Sequence, residues 1–152
     1  MIEVRNLNKS FGNFKSLDNL SLNVKKGSVY GLVGPNGAGK TTFIKNLMGI
    51  YRPDSGSMTV DGEEVYENPA LKQKIIYISD DLFFFTTYSI LDTAKLYADI
   101  YKDWDWETFN KLKEIFKIDV KRKCCRLSKG MQKQVAFWLG ICTKPDLMVL
   151  DE

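Results

Sequence analysis

Gly34-Pro35-Asn36-Gly37-Ala38-Gly39-Lys40-Thr41-Thr42 decides how the rest of this chain is read. The stretch fits G-x-x-x-x-G-K-[ST], the pattern of a phosphate-binding loop. An apolar run, Val29-Tyr30-Gly31-Leu32-Val33, precedes it and predicts a buried strand. Thr41 to Ile50 predicts a helix with Phe43, Ile44, Leu47 and Met48 on its apolar side. Glycines let a backbone close tightly around an anion, and the following helix adds the positive potential of its N-terminus. Gly34, Asn36, Gly37, Ala38, Gly39, Lys40, Thr41 and Thr42 are therefore the candidate nucleotide-binding residues. Lys40 is placed to reach the β- and γ-phosphates, and the Thr41 hydroxyl to ligate Mg²⁺.

The remaining composition narrows the function classes. With 152 residues the chain is about one domain long, enough to bury a core. Its net charge of +3 comes from scattered lysines and argues for no nucleic-acid partner. The clusters Lys121-Arg122-Lys123 and Lys25-Lys26 read as solvated surface. There is no signal peptide and no apolar run long enough to span a bilayer. Three cysteines, two of them adjacent as Cys124-Cys125, outline no disulfide framework and suit a reducing cytoplasm. With no histidine in the chain, a zinc site is not expected.

Outside the loop, hydrophobic periodicity predicts the elements. Ile2–Leu7 and Leu20–Val24 alternate as half-buried strands, joined through the aromatic turn Phe11-Gly12-Asn13-Phe14. Either phenylalanine of that turn could stack on a purine or belong to the core. Arg52–Gly56 is a turn cluster, and Ser57–Val60 is a strand closed by the hairpin signal Asp61-Gly62. Leu71–Lys74 reads as a short helical turn before the strand Ile75–Ile78. Ile90, Ala94, Tyr97 and Tyr101 mark one face of a helix. Asp105 caps a second, with Trp106, Phe109, Leu112, Ile115 and Phe116 expected on its buried side. This aromatic stripe reads as core packing. A third helix, capped by Ser128 and carrying Val135, Leu139 and Cys142, is broken by Pro145-Asp146 before the apolar run Leu147–Leu150.

Three stretches in this order resemble the ATPase subunit of an ABC transporter. They are the phosphate loop, Leu127-Ser128-Lys129-Gly130-Met131-Gln132-Lys133-Gln134 in the place of the family's L-S-G-G-Q signature, and Leu147-Met148-Val149-Leu150-Asp151-Glu152 in the place of its Walker B strand. The resemblance implies an α/β fold: a phosphate-loop core sheet, an antiparallel β-subdomain from the N-terminal strands, and a helical insertion over about residues 81–128. It implies a single domain over residues 1–152 whose C-terminal part is missing. It also implies roles. Phe11 takes the position of the aromatic that stacks on adenine. Asp151 holds Mg²⁺ through water, Glu152 polarises the attacking water, and Ser128 and Gly130 face the γ-phosphate bound to a second ATPase subunit. The implied function is ATP hydrolysis coupled to transport through a separate membrane permease, at the inner face of the cell membrane. Tyr101-Lys102-Asp103-Trp104-Asp105 is similar to a stretch of Gram-positive exporter ATPases whose permeases are separate chains.

Two departures from the family pattern stand out. Its members usually carry a glutamine after the strand matching Ile75–Ile78, where it touches the metal and the water. Here the position falls on Asp80, a candidate for metal and catalytic duty that cannot donate as an amide does. The family domain also continues past its Walker B glutamate to a histidine that contacts the γ-phosphate, so the resemblance implies a truncated domain that binds ATP and hydrolyses it slowly. The alternatives are a non-transport ABC ATPase of translation or DNA repair, which usually pairs two cassettes or carries long insertions, and a nucleotide-binding fragment without catalysis. Adenylate-type kinases offer no explanation of the signature.

Overall fold

A computed structural model of the chain describes residues 1–151. The chain divides into two compact units, Met1–Lys72 and a second that begins at Gln73.

The first unit is built on an antiparallel hairpin, β1 (Ile2–Phe11) with β2 (Phe14–Val24). On the other side of β1 lies β3 (Ser55–Val60), followed by the two-residue β4 (Glu63–Glu64), giving the order β2-β1-β3-β4. Alternation carries the core. Ile2 pairs with Val24 and Val60, and Val4 with Leu22 and Met58, and of these Ile2, Val4, Val24, Met58 and Val60 are buried. Both hairpin strands outrun the apolar pattern, because Ser10↔Lys15 and Phe11↔Phe14 continue the ladder with side chains that are half-buried at Ser10 and exposed at the other three. Periodicity reports burial, whereas a ladder is made by backbone groups of any residue. The Asp61-Gly62 turn joins β3 to β4 as expected, with Val60 facing Glu63. Helix α1 (Lys40–Leu47) buries Phe43, Ile44 and Leu47, and the short α2 (Pro69–Lys72) closes the unit.

One expectation is overturned here. Residues 28–35 form no strand, and Val29 and Val33 are 103% and 95% exposed. An apolar run becomes a buried strand only where neighbouring strands accept its amides and cover its side chains. Among the described residues no strand pairs with this segment.

In the second unit, β5 (Ile75–Ile78) and β6 (Leu147–Leu150) pair in parallel, Ile75 with Leu147 through Ile78 with Leu150. Three helices accompany them: α3 (Ile90–Ile100), α4 (Trp106–Phe116) and α5 (Lys129–Cys142), with a 3₁₀ turn at Cys124–Arg126. Helix α5 lies close against the parallel pair, since a Cβ on Gly140 would sit 3.4 Å from Ile78 Cδ1 and 3.5 Å from Ile76 Cγ1. The core centres on Trp138, stacked on Phe109 with centroids 4.7 Å apart, its indole N–H donating to the Phe109 carbonyl at 3.1 Å. Ile90, Ala94, Ile118, Cys124, Leu127, Val135, Leu139 and Cys142 complete it. Asp105 caps α4, accepting from the amides of Glu107 (2.8 Å) and Thr108 (3.1 Å), while Lys144 Nζ lies 2.9 Å from its carboxylate. The Tyr101–Asp105 stretch is thus the corner between α3 and α4. The expected inner face of α4 is narrower than its pattern. Phe109 is buried, but Ile115 is 69% exposed and Trp106 only leans on Trp104 and Phe109. Helical spacing fixes an azimuth, and α5 covers only the Phe109 side of it.

The fold is therefore mixed α/β, an antiparallel sheet together with helices and a short parallel pair. No helix among the described residues is long and apolar enough to cross a membrane.

Candidate functional site

The glycine loop leads directly into α1. Gly39 is the N-cap residue at φ 87°, in the left-handed region, and no side chain caps the helix. The first-turn amides of α1 are therefore not claimed by a side-chain acceptor, the arrangement that receives an anion. Gly37 is also left-handed, at φ 83°, with Ala38 between the two glycines. Alternation of this kind turns successive N–H groups toward one concavity. Lys40 Nζ arches back across the loop to donate to the Gly34 carbonyl at 2.6 Å and the Pro35 carbonyl at 3.0 Å. The ammonium is thus held over the loop itself. Gly39 is pressed against β2: a Cβ there would come within 2.5 Å of the Ser16 carbonyl oxygen and 3.0 Å of Leu17 Cδ2. Ser16 Oγ donates to Thr42 Oγ1 at 2.8 Å, tying the helix start to the same strand. Thr41, Asn36, Gly37 and Ala38 are exposed.

Phe11 ends β1 and is 44% exposed. Its ring meets Tyr51 edge-on at 5.3 Å, and Lys9 Nζ lies 5.6 Å from its centroid. Phe14, directly opposite in the hairpin, is 59% exposed. Neither ring is core, which leaves both available for stacking.

The other candidates belong to the second unit. Ser128 caps α5, its Oγ accepting from the Met131 amide at 3.3 Å. Gly130 follows in the first turn, and a Cβ there would meet nothing within 4 Å. Neither local packing nor a left-handed backbone calls for glycine at that position. Asp80, just beyond β5, is paired with Lys133 of α5 at 2.8 Å. That hydrogen bond and charge hold its carboxyl below the usual carboxylate range. Asp151 follows β6, with its amide donating to the Ile78 carbonyl at 3.0 Å. One of its carboxylate oxygens, Oδ2, accepts from the Tyr77 hydroxyl at 3.1 Å. Burial first, then the Asp151 hydrogen bond and charge, push the Tyr77 phenol up to about 12. Glu152 lies outside the described residues.

The structure thus groups Lys40 with Gly34, Thr42 with Ser16, Asp80 with Lys133, and Asp151 with Tyr77. Of these partners Ser16 and Tyr77 carry no motif of their own, nor does Tyr51 beside Phe11, whereas Lys133 lies in the signature-like stretch. Tyr77 carries a faint signal, as the polar-tipped residue in an otherwise aliphatic strand.

The family model described as ABC transporter matches residues 17–152. The chain belongs to the ABC transporter family. The ABC transporter ATP-binding protein YtrB of Bacillus subtilis (strain 168) is 35% identical to this family member over 152 residues, covering 100% of the chain and 52% of YtrB. The bacitracin transport ATP-binding protein BcrA of Bacillus licheniformis is 30% identical over 155 residues, covering 100% of the chain and 51% of BcrA. The chain spans about half the length of these curated relatives. Among solved structures, an ATP-binding subunit of an ABC transporter superposes with a TM-score of 0.91 at 23% identity, covering 100% of this chain and 66% of its own, a likeness of fold. Both curated relatives are ATP-binding proteins of transporters by name.

Proposed function

We propose that this chain binds and hydrolyses ATP as the ATPase part of an ABC transporter whose membrane permease is a separate polypeptide. The observation that carries the proposal is the glycine loop itself. Two left-handed glycines, an uncapped helix start and an ammonium held across the loop carbonyls form a preorganised cationic cradle. In this reading Lys40 and the backbone N–H groups among Gly34, Asn36, Gly37, Ala38, Gly39, Lys40, Thr41 and Thr42 take the phosphates, and Phe11 stacks on the adenine. Catalysis of phosphoryl transfer is mostly positioning and charge neutralisation, so a cradle of this kind does much of the chemistry.

Thr41 and Asp151 are each of a donor type that suits Mg²⁺. Among the described residues no group of three acidic or sulfur and imidazole side chains could hold a metal by itself. Magnesium keeps its waters and is usually bound by one or two carboxylates together with substrate phosphates. Thr41 and Asp151 offer one hydroxyl and one carboxylate of that type. The metal, when bound, neutralises charge on the phosphates. Asp80 is a candidate for the same duty only when it leaves Lys133. Glu152 is proposed to polarise water.

Ser128 and Gly130 are proposed to face the γ-phosphate held by a second ATPase subunit. The open space at Gly130 supports this, since a helical glycine costs about 0.5–1 kcal/mol against alanine and nothing local requires it. The domain is read as single over residues 1–152, with about 81–128 as its helical insertion, and as lying at the inner face of the membrane through its permease. Calorimetric titration with Mg-ATP tests the proposal. Lys40→Ala should weaken binding by about 1.5–3 kcal/mol per lost phosphate contact, and unchanged affinity would remove the loop from the site.

A further inference from the structure

We infer that Tyr77 is a positioning residue for Asp151, holding Oδ2 of that carboxylate so that its other oxygen is the one presented to a hydrated cation. The inference rests on the proposed reading of Asp151 and adds to it a residue that no motif marks.

The geometry begins with the ladder. Tyr77 is the register partner of Val149 across the parallel pair. Side chains two residues apart on a strand share a face, so Asp151 continues the Val149 row, one diagonal step from Tyr77. An aliphatic side chain at position 77 could not bridge that step. The tyrosine ring spans it and delivers its hydroxyl 3.1 Å from Asp151 Oδ2. The backbone is fixed at the same point, with Leu150 opposite Ile78 and the Asp151 amide donating to the Ile78 carbonyl at 3.0 Å. Main chain and side chain of Asp151 are therefore both tied to β5, one residue apart.

The chemistry is specific to a donor. A neutral phenol gives one O–H and an ionised carboxylate only accepts, so the pair has one polarity. A carboxylate that rotates freely presents either oxygen to a cation and loses orientation entropy on binding it. A donor on one oxygen removes that freedom beforehand. Partners behind a metal-binding group commonly contribute in this way, and their loss typically lowers metal affinity 10–100-fold. Asp80, the other acidic candidate among the described residues of this unit, is engaged by Lys133, so of the two Asp151 is the carboxylate with a neutral donor behind it.

The test uses Mn²⁺ as a paramagnetic substitute, titrated into the chain with saturating ATP and read by electron paramagnetic resonance. Tyr77→Phe should weaken ATP-dependent Mn²⁺ binding about tenfold, leave ATP affinity in excess chelator unchanged, and have no further effect in an Asp151→Asn background. Unchanged Mn²⁺ affinity in Tyr77→Phe, with a loss in Asp151→Asn, would overturn the inference alone. Unchanged affinity in Asp151→Asn would overturn the reading of Asp151 and the inference with it. An equal loss from Tyr77→Phe in both backgrounds would show that Tyr77 does not act through Asp151. If the phenylalanine variant fails to fold, a site-specifically fluorinated ring at Tyr77, a stronger donor, provides the same readout, and unmoved Mn²⁺ affinity there counts against the inference.

Discussion

Gly39→Ala separates two costs that usually arrive together. The backbone at Gly39 is left-handed, at φ 87°, which an L-residue adopts at a cost of about 1–2 kcal/mol. The added methyl would also sit 2.5 Å from the Ser16 carbonyl oxygen and 3.0 Å from Leu17 Cδ2. The first of these is backbone in β2 and cannot rotate away. Relieving it moves α1 off the strand, at a cost of about 1–3 kcal/mol on the scale of overpacked cores. Gly37→Ala is the internal control, since Gly37 has nearly the same φ of 83° and nothing within 4 Å of its Cβ. The expected losses are therefore about 2–5 kcal/mol for Gly39→Ala and about 1–2 kcal/mol for Gly37→Ala. Urea denaturation followed by far-ultraviolet circular dichroism measures both. Equal midpoints would show that the approach of Gly39 to Ser16 imposes no steric demand, and that only backbone handedness selects glycine in this loop. Because the Ser16–Thr42 hydrogen bond crosses the same contact, Gly39→Ala should also weaken ATP binding more than Gly37→Ala does.

Trp138→Ala removes the centre of the second unit, a fully buried indole stacked on Phe109 with its N–H satisfied, and should cost about 3–5 kcal/mol in a denaturant titration; a loss near that of a surface substitution would contradict the packing. Phe11→Ala should weaken ATP by about 1–3 kcal/mol, a scale taken from base stacking, and Phe14→Ala should not; equal effects on calorimetric affinity would mean that neither ring stacks. The Asp105 carboxyl is held far below its ordinary 3.8, chiefly by Lys144 and then by the Thr108 amide and hydroxyl. A depressed carboxyl stabilises the folded chain above pH 3.8, and that contribution is lost as pH falls through the lowered value. Asp105→Asn should therefore lower the melting temperature at neutral pH and flatten the acid limb below 3.8; an unaltered limb in scanning calorimetry would remove Asp105 from the acid response.

What could be read in the sequence was whatever a local pattern controls. Ile75–Ile78 and Leu147–Leu150 lie where their apolar runs placed them, and Asp105 and Ser128 cap the helices they were expected to cap, because capping depends on a few consecutive residues. The family, too, was legible, since three motifs in fixed order carry it. Other features depend on residues far away in the chain. Val29–Val33 has the composition of a strand, yet its exposure is decided by which strands accept its amides, and nothing within the run encodes that. Ile115 falls on a helical stripe, yet α5 reaches only the Phe109 side of α4. The same limit governs the site. The identity of Asp151 follows from the run before it, whereas the hydroxyl on its carboxylate comes from Tyr77, distant in sequence and brought near by the parallel ladder. Asp80 makes the converse point. Its place after β5 suggested metal duty, but a carboxylate, unlike the expected amide, attracts the nearest cation, and the fold supplies Lys133 from the signature helix. With aspartate in the place of glutamine, the loop after β5 is joined to α5 by a charged pair.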